Sequence, residues 1–294
     1  MLPKGGDLRR NFILGVLNGS IFQFGTAFLG PTTVMPVFMK RLTGSDFVVG
    51  LASAMRRAGG YLPQLPMAAL LESRVYKLNI YIGANAVRMG LVWVFVPVLA
   101  LFGVGHPSLV LAAFVMMFGV SSLVGGIAGA PFVDIVGKTV PKRSRGPYYA
   151  LRAFFGAGLS ILAGLVVRWI LAEEGYAFPT SYVILFLLAA GFMTLGIVCF
   201  AMVREPPGRP SATRRTFAGV LREIPVILRR DPNFRRLLFT QILAAGIGFS
   251  LPFYVVLARE SFGAAESASG IFLMAQTLGA TLTTLAWGRV SARH

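Results

Sequence analysis

The clearest pattern along the chain is a series of long stretches that carry almost no charge. Each stretch supplies the roughly 20 apolar residues that a helix rising about 1.5 Å per residue needs to cross about 30 Å of hydrocarbon. These runs lack the period-2 alternation of barrel strands, and a bilayer admits only helices or closed barrels. The pattern predicts an all-α fold with eight membrane-spanning helices, over residues 11–39, 47–71, 78–102, 109–133, 147–167, 182–203, 237–258 and 267–288.

Positive charges fall mostly on alternate loops between these stretches. If the N-terminus is cytoplasmic, the inner loops hold 20 of the 28 lysines and arginines. The outer loops then hold four, which are Lys40, Arg41, Arg168 and Arg259. Under the positive-inside rule this asymmetry predicts a multi-pass protein of a cell membrane, plasma or bacterial inner, with both ends of the chain in the cytoplasm.

The amino-acid composition also indicates that the lipid bilayer is the main partner of the chain. Hydrophobic residues make up 55% of the chain, charged residues 13%, and the mean hydropathy is +0.71. The net charge of +17 would suggest nucleic-acid binding in a soluble chain, but here it is concentrated in the inner loops, so no nucleic acid is expected. Catalytic carboxylate pairs, hydrolase-type triads, phosphate loops and metal-ligand clusters are not evident. We therefore expect neither an enzyme nor a cofactor or metal.

The spans divide into three parts. Residues 1–203 hold a six-helix bundle, 204–236 a cytoplasmic linker, and 237–294 two further helices. The linker opens with REPPGRPSATRR, and beyond it apolar residues from Phe217 to Leu228 recur at three- and four-residue spacing among arginines. That spacing predicts a basic amphipathic helix on the inner membrane face. A solvated charged linker is the alternative, but it would expose the apolar stripe to water.

The layout resembles the major facilitator superfamily. Two local patterns add to the resemblance: PQLPMAALLESRVYK at 63–77 occupies the place of the family's loop between helices two and three, and DIVGKTVPKRSRG at 134–146 resembles the pattern after helix four. The first departs from the family signature, because Glu72, Ser73 and Arg74 stand where an Asp-Arg pair is usual. The family has twelve helices, so we expect a sequence truncated after the eighth; a natural eight-helix protein is the alternative.

The resemblance implies a monomeric secondary transporter of a small solute that works by alternating access. It also implies an inner charge network that closes the cytoplasmic gate. Solvated loop charges remain the alternative for Arg74 and Lys138. From its position near the inner surface, Arg152 is expected to pair with Asp134. The inner charge network consists of Glu72, Arg74, Asp134, Lys138, Arg145 and Arg152.

A non-transporting membrane sensor or assembly factor is the alternative to the transporter function.

Arg56 and Arg57 are the leading candidates for a solute site. Ten residues from Asp46 place Arg56 about 15 Å into the membrane, where the eight spans offer no carboxylate. Guanidinium holds a carboxylate through paired hydrogen bonds, which favours an anionic or carboxylate-bearing solute. Pairing with acids in further helices is the alternative, and Arg88 is expected to have a structural partner. Other polar candidates, for which ordinary interhelical hydrogen bonds are the alternative role, are Asn18, Gln23, Gln241 and Tyr254.

Overall fold

The computed structural model describes residues 6–71, 73–172, 174–208 and 217–291, and every regular element in these ranges is an α-helix. This confirms the predicted all-α fold for the described part of the chain. The helices in chain order are α1 (Gly6–Leu29), α2 (Val34–Thr43), α3 (Asp46–Tyr61), α4 (Gln64–Leu71), α5 (Leu78–Phe102), α6 (Pro107–Thr139), α7 (Lys142–Ile170), α8 (Thr180–Ala201), α9 (Phe217–Arg230), α10 (Pro232–Phe262) and α11 (Ala268–Ser291).

Six helical segments in these ranges are long and apolar enough to cross a membrane, which indicates a multi-pass membrane protein. The predicted count was eight. The predicted span 47–71 is divided into the shorter helices α3 and α4, and the predicted span 267–288 coincides with α11, which is outside the set of six. The six segments are Gly6–Thr43, Leu78–Phe102, Pro107–Thr139, Lys142–Ile170, Thr180–Ala201 and Pro232–Phe262.

The first of these segments is interrupted between α1 and α2. Gly30 adopts a φ of +46°, which a residue with a Cβ rarely tolerates, and Pro31 has no N–H to continue the helical hydrogen bonds. The helix restarts at Val34, and the run from Val34 to Met39 is buried. The interruption thus separates α2 from α1, and the last turn of α2 carries Lys40 and Arg41.

Helices α1 to α3 and α5 to α8 pack around shared buried clusters. α1 packs between α7 and α8, while α6 packs against α3 and α5. Phe38 of α2 contacts the rings of Phe95, Phe114 and Phe186, with centroid separations from 5.3 to 6.3 Å. α10 contacts α2 and α3, and α11 contacts α7, so the last two helices attach to the bundle on two sides.

The predicted amphipathic helix after the linker is present as α9. It contains Pro225 and contacts α4 and α10. Val226 and Ile227 expose about half of their surface. Apolar side chains exposed on such a helix are typical of a surface that meets a membrane or a partner. The linker residues 209–216 lie outside the described residues.

Candidate functional site

A cavity of about 260 Å³ lies inside the bundle formed by α1 to α8. Two arginines line it, Arg56 from α3 and Arg88 from α5, and no carboxylate does. We call it the arginine cavity. Its remaining walls are mostly apolar, from α1, α2, α6 and α8, with hydroxyl groups from Thr26, Ser121 and Ser122. Two cations and few competing polar groups make this a chemically distinctive site.

Among the described residues, Arg88 has aromatic neighbours but no acidic one. Its guanidinium carbon lies 5.2 Å from the centroid of the Phe22 ring. Neither an ion pair nor a hydrogen bond joins Arg88 to any other residue that the structure describes. A charge in the middle of a spanning helix costs about 2.5 to 3.5 kcal/mol, whereas a cation–π contact returns about 0.5 to 2 kcal/mol. The structural partners found for Arg88 are thus two aromatic side chains, Phe22 and Tyr81, neither of which carries a negative charge.

Ser121 is the third unusual group of the arginine cavity. Its side chain is 7% exposed, and its hydroxyl oxygen is buried with no hydrogen-bond partner in the described structure. The neighbouring Ser122 and Thr26 hydroxyls instead donate to the backbone carbonyls of Phe118 and Phe22. A hydroxyl without a partner in a cavity wall is free to donate to a bound group. Ser121 was not predicted to be a site residue, since a serine in an apolar run carries no special signal.

A second cavity of about 180 Å³ shares Arg88 and Gly125 with the first. Asn18, Tyr81, Asn85 and Arg152 also line it. The Asn18 amide donates to the carbonyl of Gly196 over 2.8 Å. Asn18 is therefore close to the arginine cavity but already has a structural hydrogen bond.

Arg152 is held by neutral oxygens. It donates to the Asn18 side chain at 3.2 Å, to the Tyr148 hydroxyl at 3.0 Å, and to the Gly15 carbonyl. The predicted pairing of Arg152 with Asp134 is wrong in this structure. The reason is that α7 packs along α1, which points Arg152 at α1.

Arg57 points away from the arginine cavity. It donates to the carbonyl of Ala245 over 3.2 Å and lies 5.5 Å from the ring centroid of Phe249, both on α10. Adjacent positions on a helix point about 100° apart, so only Arg56 reaches the cavity.

The other polar candidates are not brought to the arginine cavity. Gln23 is exposed on α1 and faces Gly156 of α7. Gln241 and Tyr254 are exposed on α10. Among the residues predicted to bind solute, the structure places Arg56 in the cavity and Asn18 in the adjoining one.

Charged side chains form a cluster at the end of the bundle that is predicted to face the cytoplasm, which we call the inner cluster. Lys138 bridges Asp134 and Glu205, each at 2.9 Å, and Lys77 pairs with Asp134 at 3.0 Å. The Glu205 carboxylate, 2% exposed, also accepts from the backbone N–H groups of Lys77 and Leu78 at 2.8 Å. Lys77 and Glu205 were not predicted to belong to this cluster, because Glu205 is far along the chain from its three partners Lys77, Leu78 and Lys138.

The remaining members of the predicted gating network have other positions. Arg145 donates to the carbonyls of Gly137 at 2.7 Å and Val140 at 3.2 Å, which end α6. Arg74 is exposed. Glu72 lies outside the described residues. Asp134 and Lys138 are thus the two predicted members that the structure brings into one ion-pair cluster.

A second group of charges, which we call the outer cluster, lies at the opposite predicted face. Glu266 accepts from Arg41 at 2.7 Å, Arg259 at 3.2 Å and the Tyr182 hydroxyl at 2.9 Å. Lys40 pairs with Asp46 and with Glu260, each at 2.7 Å. These contacts join α2 and α8 to α10 and to the connection between α10 and α11. No group of three residues that could hold a metal ion occurs in the described parts of the chain.

Comparisons with known proteins give distant relatives. No protein-family model matches the chain. Uncharacterized proteins of Mycobacterium bovis and Mycobacterium tuberculosis are 26% identical to it over 186 residues. The match covers 62% of this chain and 35% of each relative, so the chain spans about a third of the length of the curated relatives it matches.

Proposed function

We propose that the protein is a secondary transporter of a small solute that works by alternating access, with the layout of the major facilitator superfamily. In this proposal the divided segment α3–α4 and helix α11 also cross the membrane, which makes eight spans. The protein lies in a cell membrane with the ends of this chain in the cytoplasm, and it acts as a monomer. An anionic or carboxylate-bearing solute is the expected cargo.

The observation that carries the proposal is the unequal distribution of ion pairs between the two ends. The outer cluster joins the helices of residues 1–203 to α10 and to the connection between α10 and α11 through Lys40–Glu260 and Arg41–Glu266. The inner cluster joins α5 and α6 to Glu205 and does not include α10 or α11. Alternating access requires two groups of helices that are held together at one end at a time, which this arrangement allows.

A non-transporting sensor or assembly factor on the same scaffold is the alternative. It needs no cavity inside the bundle, whereas the arginine cavity supplies about 260 Å³ with two cations in its wall. That observation favours a protein that binds a solute.

Solute uptake into proteoliposomes tests the proposal. The full-length protein is reconstituted, and uptake of labelled succinate, phosphate and glucose is followed with an imposed membrane potential of either sign. We expect saturable uptake of at least one anion and none of glucose. No uptake above protein-free liposomes for any of these solutes would favour the sensor.

Labelling of introduced cysteines tests the orientation. With Cys199→Ser as background, Ser108→Cys and Ser73→Cys occupy exposed sites on opposite predicted faces. We expect an impermeant maleimide added to intact cells to label position 108 and not position 73. The reverse pattern would overturn the predicted orientation.

A further inference from the structure

We infer that the arginine cavity is an oxyanion site built inside the first bundle, in which Arg88 and Arg56 bind a carboxylate or phosphate group and Ser121 donates a hydrogen bond to it. The inference deepens the proposed function by naming the chemistry of the group that the site recognises. It does not need transport to occur, because binding is measured separately.

The charges provide the first argument. Arginine stays protonated under all ordinary conditions, so burial cannot be relieved by loss of the proton. Arg88 has the Phe22 ring and the Tyr81 side chain as charge-stabilising neighbours but no carboxylate, and Arg56, which is exposed, makes no ion pair or hydrogen bond within the described residues. A bound anion would supply the counter-charge that both guanidinium groups lack among the described residues, and it would accept several hydrogen bonds.

The cavity wall provides an independent argument. Ser121 lines this cavity, and its hydroxyl oxygen is buried with no hydrogen-bond partner among the described residues. Buried polar groups in proteins are almost always satisfied, so one that lines a cavity indicates a missing partner. A hydroxyl and two guanidinium groups are all donors, and an oxyanion consists of acceptors only.

Size limits the ligand to a small one. A volume of about 260 Å³ is below the lower end of the range typical of drug-sized ligands. The apolar remainder of the wall, which includes Met117, Val92 and Leu29, suits a short hydrocarbon part beside the charged group. An anionic lipid headgroup carries the same oxyanion chemistry as a free solute, and the experiment separates the two sources.

Binding is tested by thermal unfolding of the 294-residue chain in nanodiscs of pure phosphatidylcholine. Succinate and inorganic phosphate are titrated at constant ionic strength, with chloride as the reference anion and glycerol as the neutral control. We expect at least one of the two anions to raise the melting temperature saturably, as a ligand of the folded state does. Arg88→Met should weaken that apparent affinity at least about tenfold, the loss typical of a charge-assisted hydrogen bond.

Three further variants make the test independent of folding defects. Ser121→Ala removes one donor without changing any charge and should weaken binding by about three- to tenfold. Arg88→Lys keeps the charge and should lie between wild type and Arg88→Met, because lysine lacks the paired donors. Arg143→Gln removes an arginine at an exposed position outside the cavity and should leave the affinity unchanged.

A second set of nanodiscs, which contain phosphatidylglycerol, identifies a lipid source. If the lipid raises the melting temperature of the wild type and not of Arg88→Met, and free anions have no effect, the site holds a headgroup phosphate. If neither free anions nor the anionic lipid stabilise the wild type, or if they stabilise Arg88→Met equally, the oxyanion site is refuted. If Arg88→Met still transports the solute and binds the anion with unchanged affinity, the oxyanion site is refuted but the transporter proposal is kept. If the wild type binds the anion at this site but shows no uptake, the transporter proposal is refuted but the oxyanion site is kept.

Discussion

At the scale of single residues, Glu205 shows how one buried carboxylate organises a helix end. It accepts from the N–H groups of Lys77 and Leu78, where α5 begins, and from the ammonium group of Lys138. The N-terminus of a helix carries a partial positive charge, so the carboxylate faces three positive donors. Glu205 lies 127 residues from Leu78 along the chain, so its hydrogen bonds connect the segment after α8 to the beginning of α5.

Glu205→Ala should destabilise the protein more than an ordinary surface substitution. It leaves the Lys138 ammonium and two backbone N–H groups without their acceptor, and loss of one partner of a buried ion pair costs about 3 to 5 kcal/mol. Lys138 keeps Asp134, so we expect about 3 kcal/mol, measured as a fall in melting temperature in detergent. Glu174→Ala, at an exposed position, is the control. Equal melting temperatures for the two variants would contradict this role of Glu205.

At the scale of elements, the crossing of α3 and α6 depends on glycine. A Cβ on Gly59 would lie 2.7 Å from the Ser122 Cβ and 2.9 Å from the Leu123 backbone nitrogen, so the two backbones approach closely there. Its neighbour Gly60 has no atom within 4 Å of such a Cβ. Small residues at a crossing point are the usual means by which membrane helices come into close contact.

These two glycines give a matched pair of variants. Gly59→Ala should force α3 and α6 apart and cost about 1 to 3 kcal/mol, the usual range for overpacking. Gly60→Ala should be neutral or slightly stabilising, because alanine favours the helix. Melting temperatures of both variants in the same detergent provide the measurement. A larger loss for Gly60→Ala than for Gly59→Ala would show that the crossing is not as described.

The elements were more predictable from the sequence than the contacts between them. A long uncharged run has to be helical in a bilayer, so each predicted span is found as helix, although 11–39 and 47–71 are each divided between two helices. The division of the second span near Pro63 was not predicted, since the flanking residues are as apolar as the rest. The partners of Arg152 and Glu205 depend on which helices cross, and local spacing carries no information about that. Arg56 was identified because an uncompensated charge in an apolar run is visible in the sequence itself.

At the scale of the whole molecule, the outer cluster joins the two sets of helices. Beneath it, Val37 of α2 packs against Val255 and Val256 of α10 and is fully buried. Thr32, in the break between α1 and α2, donates to the side chain of Gln276 on α11 at 2.9 Å. Opening of the outer end would have to separate these contacts.

Glu266→Gln should loosen the outer end, because it weakens the acceptor of Arg41 and Arg259. With Cys199→Ser as background, Val37→Cys reports the opening. We expect an impermeant maleimide added from outside to label this cysteine several times faster when Glu266→Gln is present. Glu174→Gln, at an exposed position on the same predicted face, should leave the rate unchanged. Equal rates in all three proteins would mean that the outer cluster does not hold this end closed.

The unpaired arginines of the arginine cavity have a consequence for the membrane itself. A fixed positive charge in the middle of a bundle repels protons and sodium ions, as an arginine does in channels that exclude cations. The bundle should therefore leak few cations even when water enters the cavity, so the membrane potential is not dissipated. Liposomes that contain the protein should hold an imposed proton gradient about as long as empty ones, and the double variant Arg56→Gln, Arg88→Gln should lose it faster.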